Sequence, residues 1–168
     1  MKLCFFLQEG RGVALDYSFS LYSYGPFDSD VLSDLGTVVR LNVLKEGVIY
    51  YSSGTGYEYR PGSDIESVRI LASVFLRENS DHISWCVNSF GSKTAGDLEL
   101  LSTALFVAKY QNPRDFDHLI EQVELIKPHF SRDRIEKGVE ELVALDLLRR
   151  QPLAKINSSD RQKTASFH

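Results

Sequence analysis

The 168-residue chain is poor in the residues that most often announce a site: two cysteines, one tryptophan, one methionine and four histidines. Cys4 and Cys86 stand apart among apolar neighbours, with no second thiol at Cys-x-x-Cys spacing. That argues against a disulfide framework or a zinc site and marks both as buried thiols. His82 lies four residues before Cys86, which could put two ligands on one helical face, but the scattered histidines supply no third. No metal or cofactor is expected. Long apolar runs are also missing, since no window approaches the roughly 18 uninterrupted residues of a spanning helix. The opening "MKLCFFLQEG" is too short and too soon polar for a signal peptide. The expectation is a cytoplasmic protein that does not enter a membrane.

Catalytic patterns are scarce too. "GTGYEYRPG" lacks the Gly-Lys-Ser/Thr of a phosphate loop, and its Gly-x-Gly sits between two β-type runs instead of opening a helix. "DFDH" at 115–118 falls where a helix should begin, and acidic residues there answer to the helix dipole. The pairs Asp28/Asp30 and Glu140/Glu141 read the same way. No Ser/His/Asp or Cys/His constellation stands out, and the chain reads as non-enzymatic.

What is present is 43% hydrophobic and 25% charged, a globular composition with enough length for one domain or two small ones. The formal net charge of −4 hides an asymmetry. From Arg149 onward there are five Lys/Arg against one acid, net +4, while residues 1–148 carry 14 basic and 22 acidic residues, net −8. The body repels phosphates and the tail attracts them.

Residues 2–9 read as a helix end, with Leu3, Phe6 and Leu7 on one face, closed by Gly10 and Gly12. Residues 17–22 alternate as a half-buried strand, and Tyr24-Gly25-Pro26 then turns the chain. Asp28 or Ser29 caps the next helix, whose buried stripe is Val31, Leu32, Leu35 and Val38 or Val39. After a polar turn at "LKEG", "VIYYSS" and "YEYRPG" form a hairpin joined by Gly54-Thr55-Gly56. A helix followed by such a hairpin is the winged-helix pattern. "SDIESVRILASVFLREN" opens with Ser63 and Glu66 at capping-box spacing, and Ile65, Val68, Leu71, Ala72 and Phe75 supply its apolar stripe. The segment around Trp85 reads as a short packed helix. Three more helices follow, and the last pair has helix-turn-helix rhythm, with Ser131 capping a helix that buries Ile135, Val139, Leu142 and Leu145 or Leu148.

The expected class is therefore mainly α with a small β-sheet (α+β). A winged-helix-like part would span 1–95, a helical part with helix-turn-helix rhythm 96–150, and a polar, basic, disordered tail 151–168.

"KLCFFLQEGRGVALDYSFSLYSYGPFDSDVLSDL" resembles the YwgA-like family of prokaryotic proteins, in which a "QKLVFLLQ"-type helix is followed by a tyrosine-rich strand, a Tyr-Gly-Pro-aromatic corner and a helix. "LELLSTALFVAKY" and "IEKGVEELVALDLL" look like that family's C-terminal helices. The corner Tyr24, Gly25 and Pro26 is also similar to the Panacea or SocA-like antitoxin-associated domains. That likeness implies a regulatory or adaptor role, antitoxin-like or defence-associated, through protein contacts. Such proteins usually carry a further helix before the first segment seen here. Its absence would leave an apolar groove for a partner or a second copy of the chain.

Two binding classes remain. For protein contacts, Tyr22, Tyr50, Tyr51, Tyr57 and Tyr59, along with Tyr24, suit interface anchoring. For DNA, the candidates are Arg132, Arg134, Lys137, Arg149 and Arg150, diluted by Asp133, Glu136, Glu140 and Glu141. The acidic body disfavours DNA, so a regulatory protein-interaction module is the first expectation and a DNA-binding transcriptional regulator the alternative.

Overall fold

The computed structural model describes residues 1–51 and 54–149. The basic segment 151–168 and Arg150 lie outside the described residues. The chain divides into two compact units, Met1–Glu99 and Leu100–His168. Its elements are mainly helices with two small antiparallel sheets, so the α+β expectation holds at that level.

In the first unit, α1 (Lys2–Phe5) passes directly into a π-helical turn, Phe6–Gly10. The wider turn changes which side chains face inward. Phe5 and Phe6 are fully buried, while Leu3 and Leu7 are only half-buried, which corrects the stripe read from α-helical spacing. The Phe6 ring stacks on Phe90 with centroids 3.9 Å apart and planes within 7°, and Trp85 meets Phe90 edge-on at 5.4 Å. Phe5 meets Phe19 edge-on at 5.2 Å. This aromatic cluster is the core of the unit.

The expected strand at 17–22 is shorter. β1 (Ser20–Tyr22) pairs with β2 (Gly25–Phe27) in the register Ser20 with Phe27 and Tyr22 with Gly25. The Tyr-Gly-Pro corner is therefore half turn and half return strand, with Gly25 at φ 89°, a conformation open to glycine. Residues 17 and 18 are held by side chains instead of a ladder. Gln8 spans the backbone of Tyr17, its amide nitrogen donating to the carbonyl at 2.8 Å and its oxygen accepting from the N–H at 3.0 Å. The N–H of Ser18 donates to Asp28.

The same Asp28 caps α2 (Ser29–Arg40) by accepting from the N–H of Asp30 at 2.8 Å. α2 buries Val31, but Leu32 is exposed, contrary to the expected stripe. It ends in a Schellman turn: Asn42, at φ 55°, donates to Val39 and Val43 to Val38. β3 (Leu44–Tyr51) follows at once and pairs with β4 (Gly54–Pro61), from Leu44 with Pro61 to Tyr51 with Gly54. "LKEG" and Gly54-Thr55-Gly56 are thus strand and not turn. The ladder runs on through both, in register from Leu44 with Pro61 to Tyr51 with Gly54.

α3 (Ile65–Leu71) and α4 (Ser73–Glu78) replace the single helix expected from residue 63, and the capping box does not form, because the Ser63 hydroxyl turns to Asp64. The backbone relaxes at Ala72 and again at Asn79, whose side-chain amide donates to the Phe75 carbonyl at 2.9 Å. α5 (Ser80–Phe90) then carries Trp85, Cys86 and Phe90 onto the aromatic core.

α6 (Ala95–Tyr110) begins at a cap made by Thr94, whose hydroxyl accepts from the N–H of Asp97 and donates to its carboxylate. In the second unit, α7 (Phe116–Ile126) starts with Asp115 accepting from the N–H of His118, while His118 Nδ1 accepts from the N–H of Arg114. "DFDH" is spent on this cap. α8 (Arg132–Ala144) buries Ile135, Val139 and Leu142, with Leu148 beyond its end, as its periodicity predicts. Ser131 stands at the N-cap position with its side chain unused, so the expected side-chain cap is not made. Gly138 brings α8 close to α6, since a methyl there would lie 3.3 Å from Leu100.

Two stability outcomes follow from this packing. Phe90→Ala, which removes the central ring, should cost about 3–5 kcal/mol in urea unfolding. Gly62 offers a sharper case, because a Cβ on it would lie 1.9 Å from the carbonyl oxygen of Asn42. Gly62→Ala should therefore lower stability by roughly 2 kcal/mol or more, read as a drop in Tm, since the obstacle is backbone that cannot swing aside.

Candidate interaction surface

The tyrosines divide by strand parity. Cross-strand partners share a face, so Glu46, Val48 and Tyr50 on β3 lie with Tyr59, Tyr57 and Thr55 on β4. Val48, Tyr50 and Tyr57 are exposed, Tyr50 at 81%. Tyr59 is half-buried and donates its hydroxyl to Glu46 at 2.7 Å, a bond that pushes its pKa up. Tyr51 points to the opposite face, where its ring covers Gly56 so closely that a Cβ there would meet it at 2.7 Å. The five expected interface tyrosines therefore do not form one patch: Tyr50, Tyr57 and Tyr59 share a face, Tyr51 backs it, and Tyr22 belongs to the β1–β2 hairpin.

That hairpin exposes Tyr22 and Tyr24, the latter at 78%, and is tied to α1 by Lys2, whose ammonium donates to the Pro26 carbonyl at 2.6 Å. Gly25 and Pro26 themselves are buried, so the Tyr-Gly-Pro motif presents one side chain and packs two residues.

The largest departure from the sequence reading lies on α3 and α4. Of the stripe expected to be core, Ile65, Val68 and Ala72 are half-buried and Leu71 and Phe75 exposed, and no residue of either helix is buried. Ile70, Leu71, Val74, Phe75 and Leu76 are all exposed, Leu71 at 84%. Apolar periodicity finds such a face but cannot say whether the chain itself covers it.

The basic candidates lie elsewhere. Arg132 forms ion pairs with Glu136 at 3.1 Å and Glu124 at 3.5 Å, and the Arg134 guanidinium lies 4.7 Å from the Phe130 ring. Lys137 and Arg149 are exposed. The α8 surface is thus mixed in sign and partly engaged with its own chain.

Among the described residues, no group of three or more His, Cys, Asp or Glu is placed to hold a metal ion, and no helix is long and apolar enough to cross a membrane. Cys86 is buried and Cys4 half-buried. Burial pushes the Cys86 thiol up to about 11, helped by nearby Cys4, and its sulfur lies 3.6 Å from the Leu3 carbonyl. Such a thiol is a packing group with little thiolate at neutral pH. Sequence reasoning also missed Arg11, whose guanidinium stacks over Trp85 at 3.8 Å, and Gln8, the clamp on Tyr17. Neither forms part of a recognisable sequence pattern.

No family model matches the chain, and no curated protein matches it. The functional reading therefore rests on the residues themselves.

Tyr17 provides a pH signature for the segment that leads into β1. Its hydroxyl donates to Asp34 at 2.9 Å, and burial, then that hydrogen bond and the Asp34 charge, raise its pKa from 10.0 to about 12. A group whose folded pKa lies above its unfolded value contributes stability that is complete below pH 10 and lost as pH rises towards 12. Tyr17→Phe should remove the highest-pH phenolate transition from an ultraviolet titration and flatten the loss of stability across that window.

Proposed function

We propose that the chain is a non-catalytic, winged-helix-like protein-interaction module with a regulatory role. The observation that carries this reading is the exposed apolar residues of two successive helices, Ile70 and Leu71 at the end of α3 and Val74 and Phe75 on α4. Large apolar side chains exposed close together in the chain are of the kind a partner covers. The β3–β4 hairpin, placed after α2 as a wing would be, adds Tyr50 and Tyr57, whose rings give large contact area at little entropic cost.

The alternative is a DNA-binding transcriptional regulator, and the charges argue against it. With Arg132 paired to acids and Arg134 against Phe130, α8 offers Lys137 among Asp133, Glu140 and Glu141. A groove-reading helix needs free donors aimed at phosphates and base edges.

The deciding experiment compares wild type with Leu71→Asp, a substitution at an exposed position that should leave Tm unchanged. Affinity capture from the native host should recover a specific partner with wild type, and the variant should lose at least nine-tenths of it. Saturable micromolar binding of a labelled DNA duplex at physiological salt, unchanged by Leu71→Asp, would instead establish the DNA reading.

A further inference from the structure

The second unit carries a groove of about 500 Å³ between α7 and α8 whose chemistry differs from that of the α3–α4 face. Its floor is Ile120 and Val139, both buried, and its apolar walls are Phe116 and Val143, both half-buried. Carboxylates stand on both sides, Asp117 from α7 and Glu136 and Glu140 from α8, and among the described residues no basic one lines it. Glu136 already pairs with Arg132, whereas Asp117 and Glu140 make no ion pair among the described residues.

The spacing sets the shape of an occupant. Glu136, Val139, Glu140 and Val143 lie at i, i+3, i+4 and i+7, one face of α8 covering about 10 Å. That length matches about two turns of a second helix. An apolar stripe laid on Ile120 and Val139 would place the flanks of such a helix beside carboxylates on both walls. Cations on both flanks would satisfy them, and acidic flanks would be repelled by both.

We propose that this groove binds a lysine- or arginine-flanked amphipathic helix presented by a partner protein. Charge complementarity selects the occupant, and the apolar floor fixes its register. The chain's own basic segment fits less well. Leu153 and Ile156 there are followed by Asn157, Ser158, Ser159 and Asp160, with no third apolar residue at helical spacing. The groove is independent of the α3–α4 face, and its binding stands or falls separately from the proposed function.

The test uses the full chain and a fluorescein-labelled 14-residue peptide with leucines at i, i+4 and i+7 and lysines on both flanks. Its control is the same peptide with glutamate in place of each lysine. The lysine peptide should bind saturably in an anisotropy titration, more weakly as salt rises, and the glutamate peptide should not bind. Glu140→Lys should weaken binding at least ten-fold. Glu121→Lys, an equal change of charge at an exposed α7 position that does not line the groove, should change it less than two-fold, and Leu71→Asp should leave it unchanged. Equal losses from Glu140→Lys and Glu121→Lys would overturn the proposal by reducing the effect to net charge, as would equal binding of the two peptides. Ten-fold tighter peptide binding by the full chain carrying Leu153→Ser and Ile156→Ser would also overturn it, because the groove's occupant would then be the chain's own C-terminal segment.

Discussion

The stack of Phe6 on Phe90 is the contact on which the first unit depends. It joins the N-terminal helical turn to α5, segments far apart in the chain, through two rings with no exposure to water. Trp85 and Phe5 extend the cluster by edge-on contacts, and the Arg11 guanidinium closes its rim over Trp85. The π-helical turn is tied to this packing. By widening the helix at Phe6–Gly10 it lets both Phe5 and Phe6 face inward and leaves Gln8 directed at the following loop.

Polar side chains then do work that strand ladders do elsewhere. Gln8 satisfies both backbone groups of Tyr17, and Asp28 accepts from Ser18 while capping α2. These bonds hold residues 17 and 18 extended without a neighbouring strand, and they align the β1–β2 hairpin with α1, to which Lys2 adds its bond to Pro26. Because α2 ends in a Schellman turn, only Leu41, Asn42 and Val43 separate it from β3. Gly62 closes the other end of the hairpin against Asn42 and Val43. The tyrosine-bearing hairpin is thus fixed at its base by backbone contacts that leave no room for a side chain.

This economy leaves apolar side chains uncovered. The aromatic core is supplied by α1, the π-turn and α5, while α3 and α4 bury no residue fully and expose Ile70, Leu71, Val74, Phe75 and Leu76. The acidic balance of residues 1–148 is repeated locally in the carboxylates of the α7–α8 groove. The proposed reading draws on both observations, each taken within its own unit: exposed tyrosines and apolar side chains in the first, carboxylates in the second.

Much of the local structure was legible in the sequence. The cap at Asp28, the α8 core positions and the three C-terminal helices follow from capping chemistry and a period of 3.6, which act within a few residues. Where the reading failed, the deciding partner lay outside the pattern. Gln8 shortened the strand at Tyr17, cross-strand pairing drew "LKEG" and Gly54-Thr55-Gly56 into the ladder, and Ser63 bonded to Asp64 instead of closing a capping box. Periodicity also assigned the α3–α4 stripe to the core, since it reports amphipathicity and says nothing of what lies opposite. The amino-acid order by itself determined where helices form and what charge they carry, because propensity, capping and composition are local. Only the tertiary structure decided which apolar faces are core and which are free, because burial depends on segments that meet across long stretches of chain.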